Sequence, residues 1–469
     1  MQTTSPQFKQ NAHAALADAG LQKALAFSKP SFMARRTAAV ARLPEFEDLR
    51  EIGRDIKNHA LANLDFYLET FEANVIAAGG HVHWCSTADD ARAAVLKICQ
   101  DAGARTVTKG KSMISEELGI NQHLEANKIT PIETDLGEYI IQLRHETPSH
   151  IIAPAFHLNR EDWEAQFRLS HTDLPADRVF AERRDILTEA RGKLREKFLA
   201  ADVGITGANF LIAETGSSVI VTNEGNGDLT QTLPRVHIAL ASIEKVVPTL
   251  EDAMSLLRLL ARSATGQDFS VYTTFSTGGR RPADLDGPAE YHVVIVDAGR
   301  SAMMGTEFQE MLRCIRCAAC MNHCPVYGAV GGHAYGWVYP GPMGSVLTPS
   351  LIGVEKSGHL PNASTFCGKC ESVCPVKIPL PKMMRHWRER EFEHHLQPAG
   401  IRSNLALWGF MACHPRLYRL GTRIAAAVLG AVGRRRGRFA LMPYASGWTV
   451  GRDMPAPEGE TFFARYNRT

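Results

Sequence analysis

Cys314-Ile-Arg-Cys317-Ala-Ala-Cys320-Met-Asn-His-Cys324-Pro325 is the stretch that decides how the C-terminal part of this chain is built. Its spacing, C-x2-C-x2-C-x3-C-P, is that of a loop wrapped around an iron–sulfur cube. Three closely spaced thiolates cover one face of a cluster. The fourth, followed by proline, starts a new chain direction and points at a neighbouring cluster. Such a run requires a partner, and Cys367-Gly-Lys-Cys370-Glu-Ser-Val-Cys374-Pro375 supplies it. Reciprocal ligation follows. Cys314, Cys317 and Cys320 join Cys374 at a first 4Fe-4S cluster, and Cys367 and Cys370 join Cys324 at a second. The second set is one thiolate short, because Ser364 stands where that run would begin. A three-iron cluster satisfies this pattern. So does a cubane with one iron held by water, by the Ser364 oxygen or by another side chain. Zinc usually takes two C-x2-C arms and four ligands in all, which fits two runs ending in Cys-Pro poorly. Cys85, Cys99 and Cys413 stand alone and read as small buried apolar residues.

Outward from the cysteines, the chain of 469 residues has room for about three domains. Hydrophobic residues make up 45% and charged residues 22%, which marks a globular chain. With 52 Lys+Arg against 50 Asp+Glu, the net charge of +2 argues against a nucleic-acid binder. Met1–Pro6 is polar, so no secretory signal is expected. No apolar run reaches the ~18 residues a bilayer span needs. The expected location is cytoplasmic, where clustered thiols hold metal more readily than disulfides.

Residues 1–45 read as a polar helical arm. From Leu49 to Val75 apolar positions step by three or four, an amphipathic helix stopped by Gly79-Gly80. Ser86-Thr87 caps a helix over Ala88–Asp101, and a further helix is expected over Ser112–Asn127. Strand-like runs are Val82–Trp84, Arg105–Thr108, Ile151–Pro154, Phe210–Ala213, Val219–Thr222, Val236–Leu240, Val271–Thr274 and Val293–Val296. A helix over Leu250–Arg262 falls among them. This alternation predicts an α/β domain with a largely parallel sheet. After Arg300 strand runs stop. The stretch between Cys324 and Cys367 is rich in glycine and proline, a loop excursion with one helix, and a helix over Lys382–His395 follows. Residues 401–450 hold eight arginines and no acid, which suits docking of an acidic partner, an amphipathic surface helix on anionic lipid, or a solvated terminus.

No G-x-G-x-x-G follows a strand and no P-loop is present, so no flavin or nucleotide site can be located. Glu214, between a strand and Thr-Gly-Ser-Ser, is a candidate carboxylate nucleophile, but a turn residue is the simpler reading. Lys109 and Lys111 precede a helix start suited to a carboxylate, although solvated lysines explain them as well. His145, His150 and His157 share no helix face and are expected in ordinary positions.

Taken together, these motifs resemble the lactate utilization protein B family along nearly the whole chain. The likeness rests on Lys109-Gly-Lys-Ser-Met113, Ser115-Glu-Glu117, Glu133-Thr-Asp-Leu-Gly-Glu138, Pro148-Ser-His-Ile-Ile-Ala-Pro154, Glu214-Thr-Gly-Ser-Ser218 and Thr222-Asn-Glu-Gly225. It extends to both cysteine runs, Ser364 included, and to Trp408 and His414-Pro-Arg-Leu-Tyr418. The resemblance implies a lactate-utilization (LUD) domain with a fold like that of sugar-phosphate isomerases and CoA transferases. An α-helical two-cluster ferredoxin domain and a helical tail would follow. The expected boundaries are 1–69 for the arm, 70–300 for the LUD domain, 301–385 for the ferredoxin-type domain and 386–469 for the basic C-terminal region. The implied role is electron transfer within an L-lactate dehydrogenase complex, through two 4Fe-4S clusters, to other lactate-utilization subunits. Peripheral membrane contact through the Arg-rich tail is the secondary expectation. A reading from another class is an enzyme that binds or transforms a small carboxylate or CoA ester, with the clusters secondary.

Overall fold

The computed structural model describes residues 3–442, Thr449 and residues 452–466, apart from the side chain of Ser28. Parts of the expected C-terminal region, 443–448, 450–451 and 467–469, therefore lie outside the described residues. Two compact units are present, Met1–Arg390 and Glu391–Thr469.

Among the described residues of the first unit, ten strands build two sheets. They are β1 (His81–Cys85), β2 (Thr106–Lys109), β3 (Thr130–Glu133), β4 (Val203–Gly207), β5 (Phe210–Ile212), β6 (Ser217–Thr222), β7 (Val236–Ser242), β8 (Val246–Val247), β9 (Tyr272–Ser276) and β10 (Glu290–Val296). The larger sheet is parallel throughout, in the order β1-β10-β7-β4-β2-β3. All of β7 is buried, as expected for a central parallel strand covered on both faces. The smaller sheet runs β8-β5-β6-β9 and is mixed. The expected α/β class with a parallel sheet is thus present. Because every strand of the larger sheet points the same way, the carboxyl ends of β2, β3, β4 and β7 gather along one edge.

Several local expectations shift for identifiable reasons. The helix expected over Leu49–Val75 is two, Phe46–Ala62 and Leu64–Ala77. They break at Asn63, whose amide donates to the His59 carbonyl. Ser112–Asn127 is likewise two helices, split where Gly119 turns left-handed at φ 69°. Ile151–Pro154 is not a strand. The His150 Nδ1 accepts the N–H groups of Ile152 and Ala153, both at 3.0 Å, so these donors are spent on a side chain. Thr87 caps Ala88–Asp101 in a full capping box with Asp90.

The N-terminal helices Phe8–Ala17 and Ala19–Ala41 pack into the cysteine-bearing region. One continuous core joins Phe8 and Leu25 to Phe46, Leu256, Met311, Tyr335 and Met383. The second unit carries helices Ala399–Ala412 and Pro415–Gly433 and a short pairing of Arg438–Phe439 with Met454–Pro455. Trp408, Leu420, Ile424 and Val428 are exposed there. Among the described residues no helix is long and apolar enough to cross a membrane.

Candidate iron–sulfur centre and the adjoining cavity

Two cysteine loops with one design form the centre. In the first, Arg316 and Ala318 adopt left-handed backbone before the helical turn Ala319–Asn322. In the second, Phe366 and Gly368 do the same before Lys369–Ser372, each feature recurring 50 positions later. Successive left-handed residues curl a chain so that spaced side chains point inward. Each run also ends with a backbone N–H on its last sulfur, three residues on in the first and four in the second. The Tyr327 N–H donates to Cys324 Sγ at 3.5 Å, and the Ile378 N–H to Cys374 Sγ at 3.4 Å. By the same offset Ser364 is the structural counterpart of Cys314.

A small void is lined by Cys314, Cys317, Cys320 and Cys374, with Ile151, Arg316, Met343 and Val376 around them. Three of these thiols come from the first run and one from the second. Burial, then neighbouring thiols, pushes the Cys317 and Cys320 thiols well above the usual range, so free thiols here would hold their protons. Among the described residues, no three or more His, Cys, Asp or Glu side chains converge on a single ion. Four thiols ringing a void suit a cluster of several irons, and the donor set fits one.

The other three thiols form a second group. Burial and then Cys324 raise the Cys370 thiol to about 12, whereas Cys367 is exposed. The Lys369 N–H, followed by the Thr365 side chain, lowers the Cys367 thiol. Ser364 is half-buried, and its Oγ accepts the Phe366 N–H at 3.1 Å. Beside this group, the buried Tyr335 hydroxyl has no hydrogen-bond partner among the described residues. Burial and then Cys324 hold that phenol far from ionisation. An orphaned donor facing a cysteine suits a cofactor that offers sulfur acceptors.

Cations from distant segments converge on the first quartet. Arg50 donates twice to the Cys374 carbonyl, at 3.0 and 2.7 Å, and Arg36 donates to the Val373 carbonyl at 3.0 Å. Lys57, fully buried, donates to the Glu244 and Val246 carbonyls. Burial lowers Lys57 to about 8, and burial followed by the nearby Arg316 lowers Lys245 to about 7. Glu244 sits between Arg300 and Arg316, at 3.2 Å from each. Burial opposes its charge, but those two arginines outweigh it and hold the carboxyl at about 2. Arg300 also clamps Glu117 at 2.9 and 2.6 Å, and the Tyr339 hydroxyl donates to Glu117 at 2.6 Å. This chain of contacts ties the parallel sheet to the first cysteine loop.

A cavity of about 280 Å³ opens outside the carboxyl ends of β2, β3, β4 and β7. Lys111, Asp135, Asn209, Lys245, Arg316 and Tyr339 are among its walls. Ile151 and Arg316 line both this cavity and the void between the cysteines. Open α/β sheets commonly bind ligands at this position.

Residues that drew attention in the sequence are distributed as follows. Lys111 lines the cavity, donates to the Ile152 carbonyl at 2.7 Å and faces Asp135 at 3.7 Å. Lys109 is not solvated. It is fully buried between Glu116 at 2.6 Å and Glu133 at 2.7 Å. Burial opposes its charge, but those carboxylates and Glu138 outweigh it and raise its pKa. Glu214 is exposed and accepts the Leu250 N–H at 3.0 Å, a turn-and-helix role away from the cavity. His150 stacks on Phe156 and bonds Asn322, while His157 pairs with Glu146. Cys85 and Cys99 are buried as expected, but Cys413 is exposed. It caps the C-terminal end of helix Ala399–Ala412, which has no buried residue. Sequence reading passed over Arg316, which sits inside the quoted run, and Lys245, part of a charged pair inside the apolar run Ala239–Val247. A charge embedded in a strand-like run was the available signal.

Comparison with known proteins matches this chain to three family models: the LUD domain over residues 68–296, the 4Fe-4S dicluster domain over 310–378, and the C-terminal domain of lactate utilisation protein B over 382–469. Lactate utilization protein B of Macrococcus caseolyticus is 43% identical over 468 residues, covering 98% of this chain and 97% of that protein. The Lysinibacillus sphaericus protein of the same name is 41% identical over 464 residues, with 98% and 97% covered. A crystal structure of a DUF162 family protein from Deinococcus radiodurans aligns at 17% identity and a TM-score of 0.26, over 50% of this chain and 98% of that one.

Proposed function

The chain belongs to the lactate utilization protein B family, with a role in lactate utilization that involves iron–sulfur, and from that premise we propose that it is the electron-transfer component of L-lactate oxidation. The observation that carries this reading is the void ringed by Cys314, Cys317, Cys320 and Cys374, a quartet drawn from both runs that supports reciprocal ligation. In this reading those four residues hold a first 4Fe-4S cluster. Cys324, Cys367 and Cys370 hold a second, which is either three-iron or completed by a non-cysteine ligand at the Ser364 position. When bound, such clusters supply reversible one-electron transfer.

The protein's own groups prepare both sites for that task. Backbone N–H groups of Tyr327 and Ile378 donate to ligand sulfurs and spread their negative charge. Lys57, Arg50 and Arg316 offset charge at the first site. Apolar neighbours Ile151, Met343 and Val376 keep water from it. Cys367, exposed, gives the second site an edge towards solvent and a partner. Electrons would pass to or from other lactate-utilization subunits, in the cytoplasm, with substrate oxidation seated elsewhere in the complex. The division into 1–69, 70–300, 301–385 and 386–469, the CoA-transferase-like character of the α/β part and the helical character of the ferredoxin part belong to the same proposal.

The test is anaerobic purification with iron and sulfide analysis and EPR. About seven to eight irons per chain and reducible signals are expected from two clusters. Zinc, or no reducible cluster, refutes the proposal. The cavity walled by Lys245 and Arg316 favours a second reading, binding of a small carboxylate by the α/β part itself.

A further inference from the structure

The cavity at the sheet edge combines features that a filled protein interior avoids. Lys245 is only 8% exposed, yet it makes no hydrogen bond or ion pair with any described residue. Arg316 gives one nitrogen to Glu244, while its Nη1 is buried without a partner. A buried donor without a partner is costly, and the Lys245 ammonium and the Arg316 Nη1 line one space. The cavity's carboxylates do not answer them. Asp135 accepts the Gly137 and Glu138 N–H groups at 2.9 and 3.2 Å and faces Lys111, and Glu224 is exposed. An anionic ligand would meet the unpartnered donors.

We propose that this cavity binds a small 2-hydroxy or 2-keto carboxylate, its carboxylate held by Lys245 and Arg316 beside the first cysteine quartet. This deepens the second reading above and rests on it. Size favours a small ligand. At about 280 Å³ the cavity lies just below the range of roughly 300–1,000 Å³ typical of ligand pockets, too small to enclose a coenzyme A thioester. Polar groups suit the second functional group. Asn209 uses its Oδ1 on the Val221 N–H at 3.0 Å, leaving its NH2 among the cavity walls. Ile152, Val221 and Leu260 supply an apolar side for a methyl group. The position fits too, since Arg316 borders both the cavity and the void of the quartet. A carboxylate there lies next to Cys314 without a ligand having to enter the cysteine site.

The experiment is calorimetric titration of the anaerobically purified full-length holoprotein with L-lactate, pyruvate, propionate and inorganic phosphate, each sample paired with iron analysis and EPR. Saturable binding of L-lactate or pyruvate is expected, with propionate weaker and phosphate weaker still. Lys245→Met is expected to weaken binding at least about tenfold at unchanged iron content, and Lys245→Arg to restore most of it. Ligand should also perturb the EPR signal that is lost in Cys317→Ser. Asn209→Ala, which alters no residue of the cysteine void, should weaken L-lactate more than propionate. No saturable heat up to about 10 mM, phosphate binding as tight as pyruvate, or full affinity in K245M each overturns the proposal. Clusters present without ligand binding would refute only the cavity. Missing clusters would refute the relay and leave the calorimetry to be judged separately.

Discussion

Replacing Arg300 by methionine tests how the sheet and the cysteine loop are held together. Arg300 is fully buried and answers two buried carboxylates, Glu117 and Glu244. Methionine fills similar volume but leaves both carboxylates without that partner. Removing one member of a buried pair typically costs about 3–5 kcal/mol, because the remaining charge stays desolvated. At ~2.1 cal/mol/K per residue, the unit Met1–Arg390 unfolds with an entropy of about 0.8 kcal/mol/K, so the midpoint should fall by about 4–6 °C. Anaerobic thermal scans followed by circular dichroism at fixed rate read this directly. An internal control is Arg258→Met, whose exposed pair with Glu45 should leave the midpoint unchanged. Adding Glu117→Gln to R300M removes one stranded charge and should recover part of the loss. An unchanged midpoint in R300M, or a second substitution whose cost simply adds, would refute the argument that buried charge balance holds this junction.

Other outcomes follow from the same geometry. Cys374→Ser should abolish the EPR signal that Cys317→Ser abolishes, and Cys324→Ser the other one, although Cys374 and Cys324 each lie in the opposite run; pairing by run instead of across runs would contradict reciprocal ligation. Ser364→Cys should raise iron content at the second site or convert a three-iron signal to a four-iron one, read by EPR and iron analysis. Tyr335→Phe removes the orphaned donor beside Cys324 and should lower the second site's reduction potential at unchanged iron content, measured by redox titration. Glu138 is buried, and burial followed by Glu133 raises its pKa well above the ordinary value. The folded protein therefore keeps a proton that the unfolded chain releases above the ordinary carboxyl range, and stability from this group falls as pH rises through that window. Glu138→Gln should accordingly gain in melting temperature relative to the parent as pH is raised from about 5 to 8; a difference independent of pH would refute this.

The cysteine spacing made the iron–sulfur site legible because ligation by a loop is a local, one-dimensional pattern. Helix Ala88–Asp101 was equally legible, since Thr87 and Asp90 cap it within four residues. Less visible were features set by contact across the fold. Ile151–Pro154 has strand-like composition, yet His150 takes its backbone donors. The β3 run Thr130–Glu133 and the β4 run Val203–Gly207 are short and contain proline or glycine, so their place in the sheet depends on neighbours. Lys109 looked like a solvated side chain because the carboxylates that bury it come from separate segments. The cavity was invisible for the same reason. Lys245 and Arg316 lie 71 positions apart, and only the return of the chain past the sheet edge brings them to one wall.

The hold of the N-terminal helices on the cysteine loops has a consequence for assembly. Arg50 reaches Cys374 across 324 positions, Arg36 reaches Val373 across 337, and Ser5 reaches Tyr335 across 330. At ~5–20 residues per second, a ribosome needs roughly 16–65 s between making Arg50 and making its partner. During that interval Phe8 and Leu25 lack the core they will enter, a span in which a chaperone has most to cover. The ligand loops in turn acquire their arginine clamps only from residues made long before. Cutting between the α/β and cysteine-bearing parts would separate the clamps from the loops they close.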